Sequence, residues 1–172
     1  MPAVESRVRV TEFFWYGCSH CFDFEPSLNE WKKNKKAYIE FNRIPAIFDR
    51  KWAGHARAFY TARKLLILDD FHGKLFNSLH EKKEKIYTDV QIGKFFEKLN
   101  IKEEVFNTVF NSFEIDASAR KALSLTRDSG ISGVPSIVIN GKYRTSVRYT
   151  GSFENLLKVV DYLASKEHKN LL

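Results

Sequence analysis

Cysteine is nearly absent: only Cys18 and Cys21 occur in the 172 residues. Two thiols within one short motif exclude a scaffold stapled by several disulfides. They also exclude a four-cysteine zinc site within one chain. Long apolar runs are missing too, since none approaches the ~18 residues that a membrane-spanning helix needs. Met1-Pro2-Ala3-Val4-Glu5-Ser6 has neither the basic start nor the apolar segment of an export leader. The chain therefore reads as cytosolic, or as a mature exported form whose leader was removed, with Met1 added for expression. No internal repeat, low-complexity tract or recognised nucleic-acid motif stands out.

What is present suffices for a core. Hydrophobic residues make up 44% of the chain and 15 residues are Phe, which argues against disorder, and the length of 172 residues fits one domain, or one domain with a sizeable insertion. The 28 basic and 21 acidic residues leave a charge of +7, compatible with nucleic acid or an anionic surface. The densest basic run, Lys32-Lys33-Asn34-Lys35-Lys36, falls where the first helix should end. Cations there complement the helix C-terminus, so a solvated loop is the reading adopted.

The chain is organised around Phe13-Phe14-Trp15-Tyr16-Gly17-Cys18-Ser19-His20-Cys21-Phe22. An apolar run fit for a buried strand stops at Gly17, and the pattern after Cys21 turns helical. Cys18 then lies at the amide-rich start of a helix, where unpaired N–H groups and the macrodipole favour a thiolate. The thiolate is the reactive form of cysteine, so this turn reads as redox chemistry. Cys18, nearer the helix start, suits the attacking thiol; Cys21, deeper on the same face, suits the resolving one. Ser19 and His20 set the poise, with His20 able to lower the Cys18 pKa by charge or hydrogen bond. A stabilised thiolate makes the disulfide form oxidising. Three other readings stand beside this one: a structural disulfide, a metal site begun by Cys18, Cys21 and His20, and a plain loop histidine. So short a loop gains little from cross-linking, and His55, His72, His80 and His168 are scattered.

Residues 7–16 read as a strand, and Cys21, Phe24, Leu28 and Trp31 give the following helix one inward face. Pro26 within it predicts a bend or break near Phe22. Ala37 to Ile44 reads as a second strand, parallel to the first, ended by Pro45. From about Lys51 to Leu125 the pattern is helical, with a capping box in Thr88-x-x-Gln91 and aromatic stripes that read as core. Gly133-Val134-Pro135 precedes a strand at Ser136–Ile139. Asn140-Gly141 signals a hairpin into a return strand at Lys142–Tyr149, and Ser152 should cap a terminal helix. The expectation is an α/β chain: a sheet interrupted by helices, with residues 1–48 and 126–172 as one discontinuous domain and 49–125 as an inserted all-helical subdomain.

Phe-Phe-Trp-Tyr-Gly-Cys-Ser-His-Cys-Phe-Asp-Phe-Glu, followed later by Gly-Val-Pro-Ser-Ile-Val-Ile-Asn-Gly-Lys-Tyr, resembles the DsbA family of bacterial thiol:disulfide oxidases. The similarity spans nearly the whole chain. It implies a thioredoxin-like fold with an inserted all-helical subdomain, and a periplasmic enzyme that donates its disulfide to reduced, newly exported polypeptides. It implies reoxidation by a membrane quinone-linked partner of the DsbB type, with no cofactor beyond the Cys18–Cys21 disulfide. By resemblance Cys18 is the nucleophile, Cys21 the resolving thiol, and Val134-Pro135 a cis-proline loop that faces them and binds substrate. A proline offers no N–H, and the Val134 backbone can pair with an extended peptide; a β-turn proline is the plainer alternative. Glu25 matches the family's buried acid and Arg43 falls near its basic partner, so the two are expected to pair and tune the thiols; two surface charges are the plainer alternative. The Ser-His dipeptide departs from the commoner Pro-His: the Ser19 hydroxyl is expected to bond the thiolate or cap the helix and so to shift the redox potential. The N-terminus is short, so an edge strand seen in family members is expected to be reduced or missing.

The expectation is a monomeric thiol–disulfide oxidase that binds neither nucleic acid nor a resident metal. A thioredoxin-fold reductase or isomerase, a Cys/His metal-binding module and a non-catalytic chaperone are the competing readings.

Overall fold

The computed structural model describes residues 7–171. The expectations resting on Met1–Ser6, the leader pattern and any strand before the first, lie outside the described residues.

The sheet has the order β2-β1-β3-β4. Its centre is β1 (Val8–Phe14), paired in parallel with β2 (Ile39–Pro45) and antiparallel with β3 (Ser136–Ile139). Helix α1 (Ser19–Asn34) makes the crossover between the parallel strands, as parallel pairing requires. The alternation of β1 places Val8 and Val10 on the face where α1 and the terminal helix α8 (Phe153–Leu171) pack. Phe24, Leu28, Ile39, Ile137, Leu156 and Val160 close that layer.

Between β2 and β3 run α2 (Arg50–Lys64), α3 (Leu68–His80), α4 (Asp89–Lys98), α5 (Glu103–Phe110) and α6 (Phe113–Asp128). Their aromatic stripes do form core: Phe59, Phe71, Phe76, Phe96 and Phe110 are buried together with Phe14, Tyr16 and Cys21. The Thr88–Gln91 capping box forms in both directions, and Ser152 Oγ accepts from Asn155 N–H at 3.1 Å to cap α8.

Three local expectations need correction. The break foreseen near Phe22 does not occur, and helix α1 runs continuously through Pro26. Proline there removes only one bond, to the Phe22 carbonyl, and the buried stripe of Cys21, Phe24, Leu28 and Trp31 holds the helix together. Strand β1 ends at Phe14 rather than Tyr16, because Tyr16 turns its ring into the helical block. The return strand β4 covers only Tyr143–Thr145, followed by the short helix α7 (Val147–Thr150). Ile137 faces Thr145 in that register, so Val147 would next oppose Pro135, which has no N–H to give. Local bonds take over: Tyr149 N–H donates to Ser146 O at 3.0 Å and Gly151 N–H to Val147 O at 2.7 Å. Gly151 supplies the positive φ of 80° on which this turn closes.

Phe14 joins the two parts of the core. It is wholly buried, and its ring lies 5.0 Å from Tyr16, 5.7 Å from Phe59 and 5.2 Å from His72. Phe14→Ala should destabilise the protein by about 3–5 kcal/mol, read as a lower urea midpoint at unchanged slope. A loss below about 1 kcal/mol would mean that the helical block does not depend on this contact.

Candidate active site

The turn after β1 is held from both sides. Cys18 N–H donates to Trp15 O at 3.0 Å, and His80 Nε2 donates to the Tyr16 carbonyl at 2.7 Å. The Trp15 indole stacks on Trp52 with ring centres 4.4 Å apart. Cys18 is the N-cap of α1, and its Sγ accepts from Cys21 N–H at 3.2 Å. The sulfur itself caps the helix, so Ser19, at the first helical position and exposed, is not needed as a cap.

The two thiols sit in different surroundings. Cys18 is partly exposed and Cys21 is fully buried. The Cys18 pKa lies below its ordinary value: the Cys21 thiol donates to it, burial opposes this, and the backbone N–H groups of Cys21 and His20 add to the lowering. Burial pushes the Cys21 thiol well up, and its hydrogen bond to Cys18 and the nearby charge of Glu12 push the same way. His20 thus contributes its backbone N–H. Its exposed side chain lines a groove on the open side of the turn.

Opposite the sulfurs, the Val134–Pro135 peptide bond is cis. The Cys18 thiol donates to Val134 O at 3.6 Å, which sets this loop against the reactive sulfur. Val134 N–H has no partner among the described residues.

Beneath the sulfurs lies a buried charge cluster. Arg43 Nε donates to Glu12 Oε2 at 2.6 Å and Arg43 Nη2 to Glu25 Oε1 at 2.7 Å. His72 Nε2 touches Arg43 Nη1 and lies 3.3 Å from Glu25 Oε1, while its Nδ1 pairs with the Tyr16 hydroxyl at 2.9 Å. Local geometry explains the meeting. Glu12 and Arg43 are register partners across the parallel strands, and Glu25 follows Cys21 by one helical turn. Burial works against ionisation of Glu25, but hydrogen bonds from His72 and Arg43 outweigh it and hold its carboxyl below the usual range. For Glu12 burial wins over Arg43 and the pKa rises. Burial pushes His72 down to about 4, so at neutral pH it meets Glu25 as a neutral imidazole rather than a cation.

The Glu25–Arg43 pairing expected above is present in this geometry, whereas Glu12, His72 and Tyr16 were not singled out. Glu12 did leave a signal, a carboxylate in phase with Val8 and Val10 on a buried strand. His72 left none, because its partners come from distant segments. Among the described residues no group of three or more His, Cys, Asp or Glu side chains is placed to hold a metal ion.

A Cys-x-x-Cys at a strand-to-helix turn, facing a cis-proline loop on this mixed sheet, defines a thiol:disulfide oxidoreductase of thioredoxin fold. The chain belongs to the family of the DSBA-like thioredoxin domain, whose model matches residues 44–158, the helical block and the cis-proline loop included. It is 35% identical over 161 residues to the thiol:disulfide interchange protein DsbA of Pseudomonas aeruginosa, covering 94% of this chain and 76% of that protein. Identity to the DsbA of Burkholderia cepacia is 33% over 166 residues, covering 96% and 78%. The crystal structure of Pseudomonas aeruginosa DsbA superposes with a TM-score of 0.89 at 34% identity, over 99% of this chain and 87% of that one. The protein is therefore a disulfide oxidoreductase with an inserted all-helical subdomain that acts on protein substrates.

Arg43→Ala leaves Glu12 and Glu25 buried without their cation and should cost about 3–5 kcal/mol, as a lower denaturation midpoint. Adding Glu12→Gln should recover part of the loss; no recovery would mean that packing, not charge, sets the cost.

His55 supplies a pH test. Its ring lies 6.0 Å from both Trp15 and Tyr16, and burial holds its pKa at about 4 although Nε2 is bonded to Ile86 O. The unfolded chain takes up a proton near pH ~6.5 that the folded one refuses. Stability from this group is thus present above that pH and is lost as pH falls toward 4. The difference in stability between the parent and His55→Gln should shrink by on the order of 3 kcal/mol from about pH 7.5 to about pH 4. A constant difference would show that His55 titrates normally.

Proposed function

We propose that this enzyme works as an oxidant: its Cys18–Cys21 disulfide is transferred to reduced, newly exported polypeptides in the periplasm. The single observation that carries this reading is the contrast between the two thiols, Cys18 partly exposed with its pKa lowered and Cys21 buried with its pKa raised. A substrate thiolate attacks Cys18 Sγ, the Cys18–Cys21 bond breaks, and Cys21 leaves with the electron pair and takes up a proton. A second substrate thiolate attacks the substrate sulfur of the mixed disulfide, and Cys18 leaves as a thiolate. Two electrons and one proton pass from substrate to enzyme, and the second substrate proton goes to solvent. A low-pKa thiol leaves fast, so the stabilised Cys18 thiolate drives the last step in the oxidising direction.

Ser19 and His20 supply the first turn of helix that stabilises this thiolate. Val134 N–H offers an unpaired backbone donor to an extended substrate strand, and Pro135 gives the loop its shape beside the sulfur. Glu25 and Arg43, joined by Glu12 and His72, form the polar cluster under Cys21 through which its proton enters. No cofactor other than the disulfide takes part. The reduced enzyme returns its two electrons to a membrane quinone-linked protein of the DsbB type, and it works as a monomer.

Two experiments test this. The redox equilibrium against glutathione, followed by the fluorescence of Trp15 beside the turn, should give a potential well above that of cytosolic reductants, with the disulfide form the less heat-stable one; a strongly reducing potential would overturn the oxidant reading. With oxidised glutathione supplied as the oxidant, Cys21→Ser should accumulate mixed disulfides with a reduced, unfolded protein and Cys18→Ser should form none. Adducts on Cys18→Ser instead would reverse the two roles.

A further inference from the structure

Beside the sulfurs, on the side away from the buried charges, lies a groove of about 430 Å³. It runs from His20 and the Val134–Pro135 loop along β4 and α7 to the start of α8. Val147, Phe153 and Ile131 give it an apolar wall, and Arg144, Arg148 and His20 supply its basic groups. No aspartate or glutamate lines it among the described residues.

The two arginines are available. Both are exposed, and neither forms an ion pair or hydrogen bond with another side chain among the described residues, in contrast to the surface cations Lys64, Lys74, Lys98 and Lys158, each paired with a carboxylate. The Arg144 guanidinium lies against the backbone of Gly130, where a Cβ would fall 2.2 Å from its Nη1. Gly130 thus leaves room for the side chain to lie along the groove. Arginine presents a planar fork that takes a carboxylate through two hydrogen bonds, and a groove wall of apolar atoms reduces screening by water.

We propose that Arg144 and Arg148 determine specificity for the exchange reaction, favouring reduced polypeptides that carry Asp or Glu within a few residues of the reacting cysteine. The occupant is an extended acidic segment whose cysteine meets Cys18 and whose carboxylate reaches the arginines. This rests on the reading that Cys18 meets substrate on the side of the cis-proline loop. The electron balance is unchanged: the substrate dithiol becomes a disulfide, Cys21 becomes a thiol and Cys18 a thiolate, and the second proton goes to solvent.

The test is the rate of oxidation of three synthetic dithiol peptides by the oxidised full-length protein. They share one sequence except for Glu, Gln or Lys flanking the cysteine. The Glu peptide should react about three- to tenfold faster than the Lys peptide at low ionic strength, a range set by exposed ion pairs and steering. The ratio should fall toward one in ~0.5 M salt. Arg148→Gln should reduce it, Arg144→Gln with Arg148→Gln should abolish it, and Arg148→Glu should favour the Lys peptide. The Arg148 side chain forms no hydrogen bond or ion pair among the described residues, so its variants test the idea even if Arg144→Gln fails to fold. Equal rates for the Glu and Lys peptides with the parent protein, or a ratio untouched by the Arg148 variants, would overturn the proposal while leaving the oxidase reading standing. Failure to oxidise any of the three peptides would overturn both.

Discussion

A sulfur atom caps the first helix. Strand β1 has to stop at Phe14 and α1 has to begin at Ser19 for Cys18 Sγ to receive the Cys21 N–H. That bond stabilises the ionised sulfur, as an acceptor at a helix N-terminus does in general. The neighbouring contacts hold the four residues between strand and helix. His80 from α3 grips the Tyr16 carbonyl and stacks its ring on Phe22, and Trp52 from α2 covers Trp15. Gly17 is hemmed in by the Trp15 ring, 2.3 Å from where a Cβ would sit, so the indole occupies the space that a side chain would take. The helical insertion therefore builds the wall against which the redox turn is pressed.

Under the turn, three charges and a neutral imidazole share one buried site. A single guanidinium between two carboxylates leaves one negative charge in excess when both are ionised. The raised pKa of Glu12 and the lowered pKa of Glu25 divide that burden unequally. Burying such a group is costly, and its Glu12 Oε1 has no hydrogen-bond partner among the described residues. An arrangement that spends stability in this way beside Cys21 fits a role in the chemistry better than one in holding the fold. Its effect on Cys21 adds to that of burial: burial first, then the Cys18 sulfur and the nearby Glu12 charge hold the Cys21 thiol protonated. The Cys21 thiol and the helix N–H groups lower the Cys18 pKa.

Sequence alone disclosed what depends on neighbours in the chain. The Thr88 cap, the Asn140-Gly141 hairpin and the position of Pro135 before a strand are each set within a few residues, and each forms as read. The sulfur pair and its helix were visible for the same reason. Glu25 and Arg43 were paired through family resemblance, since nothing local links residues 18 apart. His72 was read as one of several scattered histidines, because its contacts to Tyr16 and Arg43 span 56 and 29 residues. The return strand was overestimated because the Asn140-Gly141 signal places a hairpin without saying where its second strand ends. That end is set by a tertiary fact, the missing N–H of Pro135 opposite Val147.

The two sides of the sulfur pair carry opposite fields, and this bears on the direction of the reaction. In the disulfide form Cys18 has no charge, so the arginines of the groove face an uncharged sulfur and a passing carboxylate is their best partner. Once electrons have moved, Cys18 holds a negative charge of its own at the mouth of the same groove. Attraction for an acidic segment is then weaker than before exchange, because thiolate and carboxylate repel. With the specificity proposed for the groove arginines, an acidic polypeptide is held more tightly as reactant than as product. The charge on Cys18 is one contribution that differs between the two states, and by that contribution binding favours turnover.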